Sequence, residues 1–185
     1  MNSTPASTPT PNPPGGPSAS ALLAALQQAG TTHVVTVPDF VQFALHERLF
    51  AADSGIRNVF AASEDQALTT ATGLHIGGAR PVVMVQNQGL FKCVNTLRGT
   101  CLDAGVPVVF FVGQFGREAD NVGQPMTQSR RSMVRLLEPL LDALGVRHWT
   151  VDDDADVPRI AQAFAHAKSA ETAAVVIVGR HVTWN

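Results

Sequence analysis

The sequence is poor in charged residues and has no long apolar run. Only 15% of its 185 residues are Asp, Glu, Lys or Arg, and the formal net charge is -2. A chain without a broad basic field is a poor ligand for nucleic acid or for an anionic membrane surface. No apolar run approaches the roughly 20 residues that a membrane-spanning helix needs. We therefore expect neither nucleic acid nor a membrane as a partner.

Cysteine is also scarce. Cys93 and Cys101 are the two cysteines, and no second pair is present to build a metal cluster or a disulfide framework. We expect both to be reduced packing residues. The first 38 residues contain no Asp, Glu, Lys or Arg, so the start lacks the basic region of a secretory signal and the arginines of a transit peptide. We expect a cytoplasmic protein.

Several catalytic motifs of α/β proteins are missing. The sequence contains neither a Walker loop nor a G-x-G-x-x-G turn, which disfavours a self-contained nucleotide enzyme. It also lacks the G-x-S-x-G elbow of serine hydrolases. The six histidines show no H-E-x-x-H or similar ligand spacing, and a zinc site needs clustered ligands. We expect no metal to be held by this chain's own residues.

The composition divides the chain into a short tail and one domain. Residues 1–17 hold six of the twelve prolines, mixed with Ser, Thr and Gly, and have nothing to bury. Such segments stay disordered. Residues 18–185 are of the usual size for one domain, and the 45% hydrophobic content of the chain is enough for a sizeable core.

From residue 18 onward, short strands rich in Val and Ile alternate with helical stretches. The predicted strands are 33–37, 56–60, 82–85, 106–112, a weaker one at 147–150, and 174–178. The predicted helices are 21–30, 40–52, 64–77, 90–103, 139–144 and 156–168. Apolar strands joined by helices are typical of a parallel sheet covered on both faces. The sequence therefore predicts a three-layer α/β/α domain with a mostly parallel sheet of about six strands.

Polar and glycine-containing turns follow the first four predicted strands. They are 38–39, 63–64, 86–89 and 113–116. Ligands of parallel sheets bind beyond the carboxyl ends of the strands, where these turns are expected to lie. Glu64 has two interpretations at such a corner: a reagent, or one acidic residue of a capped helix start. Ser63 and Gln66 form a capping box, and acidic residues suit the positive end of a helix dipole.

Six short motifs follow one another along the predicted strands and helices. They are Val37-Pro38-Asp39, Ser63-Glu64-Asp65-Gln66-Ala67, Ala71-Thr72-Gly73, Gly78-Ala79-Arg80-Pro81, Val85-Gln86-Asn87-Gln88-Gly89-Leu90 and Gly105-Val106-Pro107-Val108. Their order and spacing resemble the pyrimidine-binding (PYR) domain of thiamine diphosphate enzymes. Within that family the pattern is most similar to the α subunits of sulfopyruvate decarboxylases and the matching half of phosphonopyruvate decarboxylases.

The resemblance implies a role for Glu64 and for three residues after the third strand. By the family mechanism, Glu64 hydrogen-bonds N1′ of the cofactor's aminopyrimidine and so promotes the C2 ylide, which attacks a 2-oxo acid. Asn87, Gln88 and Gly89 would form a loop beside the pyrimidine and the reacting carbon. Without the resemblance, these three residues are equally well a polar turn with a glycine for unusual dihedral angles.

Two further residues are candidate substrate ligands, together with Gln88. Asp39 matches an acidic residue that several decarboxylases of this group place near the substrate, although an aspartate before a helix is also an ordinary N-cap. Arg117 lies in the longest irregular stretch, 113–128. Its guanidinium suits a sulfonate, phosphonate or carboxylate tail, with a solvent-facing arginine as the alternative. Phe40 departs from the small polar residue of close relatives.

The resemblance also implies a partner chain. Thiamine diphosphate enzymes hold the diphosphate and Mg2+ on a second domain marked by Gly-Asp-Gly and, further on, Asn-Asn, and neither motif occurs in this sequence. We therefore expect a separate β chain with both motifs, an α/β hetero-oligomer, and thiamine diphosphate shared between the two chains.

The expected function is the α (PYR) subunit of a heteromeric thiamine diphosphate-dependent 2-oxo acid decarboxylase, a lyase that is inactive without its partner chain. Sulfopyruvate and phosphonopyruvate represent the substrate class. Two alternatives stay open: a carboligase or other lyase subunit that uses the same cofactor, and a non-catalytic regulatory partner that kept the fold.

Overall fold

The structure is a computed structural model and describes residues 15–185. The tail predicted over 1–17 falls mostly outside that range. Of the tail's last residues, Pro17 accepts a 2.9 Å hydrogen bond at its carbonyl oxygen from the backbone N–H of Thr183. The start of the described chain is therefore held against its C-terminal segment.

Six parallel strands form one sheet in the order β2-β1-β3-β4-β6-β5. The strands are β1 His33–Thr36, β2 Arg57–Phe60, β3 Pro81–Gln86, β4 Val108–Gly113, β5 Arg147–Val151 and β6 Ala173–Val178. All five strand pairings are parallel. The predicted sheet is confirmed, including its weakest strand, β5, which pairs along its whole length with β6.

Within residues 15–185, eight α-helices accompany the sheet. They are α1 Ala19–Gln28, α2 Phe43–Phe50, α3 Glu64–Ile76, α4 Asn87–Lys92, α5 Val94–Leu97, α6 Ser132–Arg135, α7 Leu137–Ala143 and α8 Arg159–Ala170. One apolar cluster joins one face of the sheet to α1, α2 and α8. A second joins the other face to α3, α4, α5, α6 and α7. The predicted three-layer α/β/α fold is therefore confirmed. Within residues 15–185, no helix combines the length and apolarity needed to cross a membrane.

The central strands are apolar throughout because both faces of the sheet are covered. Val82 and Met84 of β3 belong to the first cluster, while Val83 and Val85 belong to the second. Successive side chains of a strand point to opposite faces, so covering both faces requires an apolar residue at every position. Burial of each such side chain contributes roughly 1.5–3 kcal/mol relative to exposure.

Two predicted helix starts are wrong. The helix predicted from residue 40 begins at Phe43, because Asp39 first closes a turn by accepting a 2.9 Å hydrogen bond from the backbone N–H of Val41. The predicted loop at 87–89 is instead the first turn of α4, which starts directly after β3. Gly89 suggested a loop, but it serves the close approach of the Glu64 side chain.

The remaining helix boundaries differ by smaller amounts. The stretch predicted as one helix over 90–103 breaks at Cys93 and ends in a π-helical segment, Arg98–Asp103. The helix predicted at 139–144 starts at Leu137, with Pro139 in its first turn, and α6 before it was missed. Between β4 and α6, the stretch predicted as irregular contains two 3-10 turns, Ala119–Asn121 and Met126–Gln128.

Glu171 ends α8 in the left-handed region, with φ 49° and ψ 52°. It is the one non-glycine residue with positive φ among residues 15–185. A side chain in this conformation costs about 1 kcal/mol, and glycine is the usual residue at such a cap.

Glu171→Gly should therefore raise the melting temperature by about 2–4 °C, measured by circular dichroism. Glu171→Ala is the matched control, because it removes the carboxylate and keeps the Cβ atom that causes the strain. An equal gain in both variants would attribute the effect to the lost charge and contradict the backbone explanation.

Candidate functional site

The chain segments that follow β1, β3 and β4 are linked by hydrogen bonds at the carboxyl edge of the sheet. Gln42, after β1, donates from Nε2 to the carbonyl oxygens of Val85 in β3 and Phe111 in β4, each at 3.3 Å. Asn87, after β3, donates from Nδ2 to Oε1 of Gln114, after β4, at 3.4 Å. Parallel pairing brings these segments to the same edge.

A crevice is expected between β1 and β3. The chain leaves β1 toward α2 on one face of the sheet, and it leaves β3 toward α4 on the other. Neighbouring strands whose connections diverge in this way form the usual ligand site of open α/β sheets. The candidate residues Asp39, Glu64 and Asn87 all lie in segments at this edge.

Glu64 is the first residue of α3, directly after the turn that follows β2. The capping interpretation is confirmed: Oγ of Ser63 accepts a 3.3 Å hydrogen bond from the backbone N–H of Gln66. Oε1 of Gln66 accepts a 2.8 Å hydrogen bond from the backbone N–H of Ala62. The cap therefore uses the side chains of Ser63 and Gln66, and it leaves the Glu64 carboxylate available for other contacts.

The Glu64 side chain lies against Gly89 and beside Lys92. It is 18% exposed, and its Oε2 is 3.5 Å from Nζ of Lys92. A Cβ atom at position 89 would overlap Cγ of Glu64. Two residues that the sequence proposed separately are thus in direct contact. The requirement for glycine at 89 comes from this close approach and not from a positive φ.

Asn87 and Gln88 differ in what their side chains can still bind. Asn87 is fully buried, and its Nδ2 donates to the carbonyl oxygens of Phe115 at 3.0 Å and Met133 at 3.2 Å, in addition to Gln114. Gln88 is exposed, and its amide nitrogen contacts only the Met133 sulfur, at 3.3 Å, a weak acceptor. Asn87 therefore links strand ends, while Gln88 keeps an amide that can face a ligand.

Asp39 is enclosed at this edge, with a relative exposure of 1%. Its carboxylate accepts hydrogen bonds from the backbone N–H of Val41 at 2.9 Å and from Nε2 of Gln42 at 2.8 Å. A Cβ atom at Gly113 would overlap Oδ2 of Asp39. Burial raises the pKa of Asp39 to about 6, although these hydrogen bonds and the nearby charge of His181 oppose the rise. Asp39 closes a turn before α2 and does not cap the helix, because the N-cap is Gln42 and no side chain caps it. Contact of Asp39 with a substrate stays a prediction.

His46 joins this cluster and was not found from the sequence. Its Nε2 accepts a 3.3 Å hydrogen bond from the backbone N–H of Asp39, so Nδ1 carries the ring proton at neutral pH. Among the described residues, His46 Nδ1 and Gln42 Oε1 are buried without a hydrogen-bond partner. Burial lowers the pKa of His46 to about 4. His46 lies four residues after Gln42, the N-cap of α2, and this spacing was the available signal.

Arg117 lies below the surface, with its side chain 5% exposed. Its Nη1 forms a 2.6 Å ion pair with Asp152 and also contacts the carbonyl oxygen of Gly179. Its other nitrogens donate to Asn121 and to the carbonyl oxygen of Gln124. The solvent-facing alternative is therefore wrong. These internal contacts favour a role of Arg117 in organising the loop. Contact of Arg117 with a substrate stays a prediction.

Neither the two cysteines nor any cluster of acidic and histidine side chains in residues 15–185 is arranged as a metal site. Cys93 and Cys101 are free and buried, which confirms them as packing residues. Burial raises the pKa of the Cys93 thiol to about 12, with smaller contributions from the charges of Asp65 and Glu64. Residues 15–185 contain no group of three or more His, Cys, Asp or Glu side chains placed to hold a metal ion.

Comparison with known proteins identifies one family and one relative. The family described as thiamine pyrophosphate enzyme, N-terminal TPP binding domain, matches residues 18–136. The chain is also 28% identical over 123 residues to the sulfopyruvate decarboxylase subunit alpha of Methanothermobacter thermautotrophicus. That alignment covers 65% of this chain and 74% of the relative. The family match includes all the segments that follow β1 to β4.

The shifted pKa values of Asp39 and His46 give stability two opposing pH dependences. The pKa of Asp39 rises from 3.8 to about 6 on folding, so the native state binds more protons between these values and stability falls as pH rises. The pKa of His46 falls from 6.5 to about 4, so the unfolded state binds more protons and stability rises with pH. Each effect is worth at most about 3 kcal/mol. They nearly cancel between pH 4 and 6.

Asp39→Asn should remove the first effect and leave the second. Its free energy of unfolding should rise more steeply than that of the wild type from pH 4 to about 6.5. His46→Gln should show the opposite slope, falling over pH 4 to 6. Urea denaturation across this pH range measures both. Parallel profiles for the two variants and the wild type would contradict the shifted pKa values.

Proposed function

Because the chain belongs to the family of thiamine pyrophosphate enzymes with the N-terminal TPP binding domain, we propose that it is the α (PYR) subunit of a heteromeric thiamine diphosphate-dependent 2-oxo acid decarboxylase. The family resemblance seen in the sequence is confirmed by the match over residues 18–136. The relative, an α subunit of sulfopyruvate decarboxylase, supports both the reaction and the division into subunits. The observation that carries the proposal is the Glu64 carboxylate, seated on Gly89 at the carboxyl edge.

The residues around Glu64 fit an aminopyrimidine. The carboxylate is partly exposed, its helix cap is made by other side chains, and Gly89 opens one side of it. In the proposal, Glu64 binds N1′ of the pyrimidine and controls its proton, and Gln88 offers its exposed amide nearby. When bound, thiamine diphosphate supplies the electron sink that allows a 2-oxo acid to lose carbon dioxide.

Glu64→Gln should reduce kcat of the assembled complex by roughly 100-fold or more, because a positioned acid or base contributes 10²–10⁴. Asp65→Asn is the matched control, since the Asp65 carboxylate is held by the Thr96 hydroxyl at 2.7 Å. The measurement is the rate at which the assembled complex releases carbon dioxide from a 2-oxo acid. Full activity of the Glu64→Gln complex would contradict the proposed mechanism.

Gly89→Ala tests the close packing of Glu64 against position 89 without changing a charge. The added methyl group would overlap Glu64 Cγ, so we expect a loss of kcat similar to that of Glu64→Gln with the domain still folded. Gly99→Ala is the control, because a Cβ atom there meets nothing within 4 Å. Equal activity of the two alanine variants would contradict the proposed close packing.

The proposal includes a second chain with Gly-Asp-Gly and Asn-Asn motifs, which holds the diphosphate and Mg2+. Neither motif occurs in the present sequence.

An exposed aromatic strip also supports a second chain. It consists of Phe40, Phe43, Phe50, Phe60 and Trp184, each 48–68% exposed. Two pairs of these rings are in contact, Phe50 with Phe60 and Phe43 with Trp184, and exposed apolar patches mark protein interfaces. We also assign the complex to the cytoplasm, where free thiols such as Cys93 and Cys101 stay reduced.

The aromatic strip connects the candidate site to one face of the domain. Phe40 and Phe60 lie at the carboxyl edge, and Phe60 contacts Phe50 of α2 with ring centroids 5.4 Å apart. Phe43, at the start of α2, and Trp184 form a second pair with an edge-to-face contact at 5.6 Å. A chain that completes the site must approach this edge, so we assign the strip to that chain. The competing surface is the exposed side of α3 around Ile76.

Phe43→Ser and Phe60→Ser should each weaken association of the two chains at least about tenfold, because buried aromatic residues dominate interface energies. Ile76→Ser, which removes an even more exposed apolar side chain from the other face, should leave the affinity unchanged. Co-purification from the native host followed by titration of the two chains measures this. A loss confined to Ile76→Ser would move the interface to α3, and self-association in place of partner binding would overturn the assignment.

A further inference from the structure

A second pocket lies at the same edge of the sheet, beyond the carboxyl ends of β4 and β6. Its volume is about 270 Å3, and we call it the β4/β6 pocket. The residues that form it directly after the two strands are Gln114, Gly116, Arg117, Gly179, Arg180 and His181. Glu64 does not line it.

The topology explains why a pocket forms between β4 and β6. The chain leaves β4 toward α6 and α7, which cover one face of the sheet. It leaves β6 toward Val182, which packs with α1 and α2 on the other face and donates its backbone N–H to the carbonyl oxygen of Val41 at 2.9 Å. Neighbouring strands whose continuations diverge leave a crevice between them, as at β1 and β3.

The floor of the pocket is fixed by an internal ion pair. Arg117 and Asp152 pair at 2.6 Å directly beneath Gly179, where a Cβ atom would overlap the Asp152 carboxylate. Gly116 has φ +87°, a conformation that side chains rarely adopt, and a Cβ atom there would crowd Met133. The two glycines therefore let the backbone line the pocket closely, and the charge of Arg117 is already neutralised.

The remaining charge in the pocket is positive. Arg180 takes part in none of the ion pairs within residues 15–185, and no carboxylate lines the pocket. Glu118, which follows Arg117 in the loop, is used by the Ser129 hydroxyl at 2.6 Å and by the backbone N–H of Arg130 at 3.1 Å. A guanidinium without an acidic partner, beside an imidazole, suits a forked contact with an oxyanion.

The pocket adjoins the candidate site. Gln114, which lines it, accepts the hydrogen bond from Asn87, and Met133, which crowds Gly116, contacts Gln88. On the other side, the ring of His181 packs against Phe40 with centroids 5.5 Å apart. Neighbouring strands are about 4.8 Å apart, so β6 is roughly 10 Å from β3. The β4/β6 pocket and the candidate site therefore lie side by side along one edge of the sheet.

We propose that the β4/β6 pocket binds a sulfonate, phosphonate or phosphate group through Arg180 and His181. In the proposed decarboxylase, this group is the anionic tail of the 2-oxo acid. The assignment to a substrate rests on the proposed function, whereas the recognition of an oxyanion does not. A free inorganic anion is the other source of the same chemistry.

The first experiment is a titration of the full chain with methylphosphonate and with inorganic phosphate. Binding is monitored through the amide chemical shifts in NMR spectra. Saturable shifts should centre on Gly116, Gly179 and Arg180. Arg180→Gln should weaken binding about tenfold or more, as expected for loss of a charge-assisted contact. Arg57→Gln is the control, because it removes the same charge from an exposed residue of β2, outside every ion pair of the described chain. Equal affinity in both variants, or shifts elsewhere, would overturn the proposal.

A second experiment separates the two sources in the assembled complex. If the tail of the substrate binds here, Arg180→Gln should raise KM about tenfold for 2-oxo acids with a sulfonate or phosphonate tail and leave pyruvate unchanged. Arg180→Lys keeps the charge and loses the forked geometry of the guanidinium. Its KM for these acids should lie between the values of the wild type and of Arg180→Gln. Loss of phosphate binding without a change in KM would assign a free anion and overturn the substrate assignment. A complex without turnover would refute the proposed function, and the titration would still decide the oxyanion site.

Discussion

Three carboxylates at the carboxyl edge of the sheet each pack against a glycine, and the arrangement of the edge depends on these contacts. Glu64 lies on Gly89, Asp39 on Gly113, and Asp152 on Gly179; in each case a Cβ atom would overlap the acid. The glycines end β4, follow β6, or lie in the first turn after β3. A carboxylate can reach the strand ends only where the backbone carries no side chain. Parallel pairing then brings the three contacts together along one edge.

The polar residues of this edge form two groups, distinguished by where their hydrogen bonds go. Asp39, Asn87 and Arg117 are buried and have their donors or acceptors engaged within the chain. Such groups are costly to leave unpaired, so they hold the strand ends in one arrangement. Gln88 and Arg180 are more exposed and retain unused donors. The first group acts as a frame, and the second is suited to ligands.

The sequence was informative about the fold because β3, β4 and β6 are apolar at nearly every position, a pattern typical of strands in a sheet covered on both faces. Glu64 could be found because turns that follow parallel strands share one edge. The burial of Asp39 and the pairing of Arg117 could not be predicted, since their partners come from long-range packing. Asp152 is 35 residues from Arg117, and Gly113 is distant from Asp39 in sequence. The loop at 87–89 was mispredicted because a glycine required for close contact resembles one required for a turn.

The unequal burial of this edge supports the proposal that a second chain covers it. Its inner layer is rigid, since Gln42 links the carbonyl oxygens of β3 and β4 and Asn87 links β3 to the loop after β4. Its outer layer exposes Phe40 and Phe60. Exposure of these aromatic side chains to water is unfavourable, and covering them would be favourable. A domain that used these aromatic residues for its own core would place them between sheet and helices, as it does Phe110 and Phe111. Their position at the rim of a rigid polar edge is better suited to association with another surface than to stability of the isolated fold.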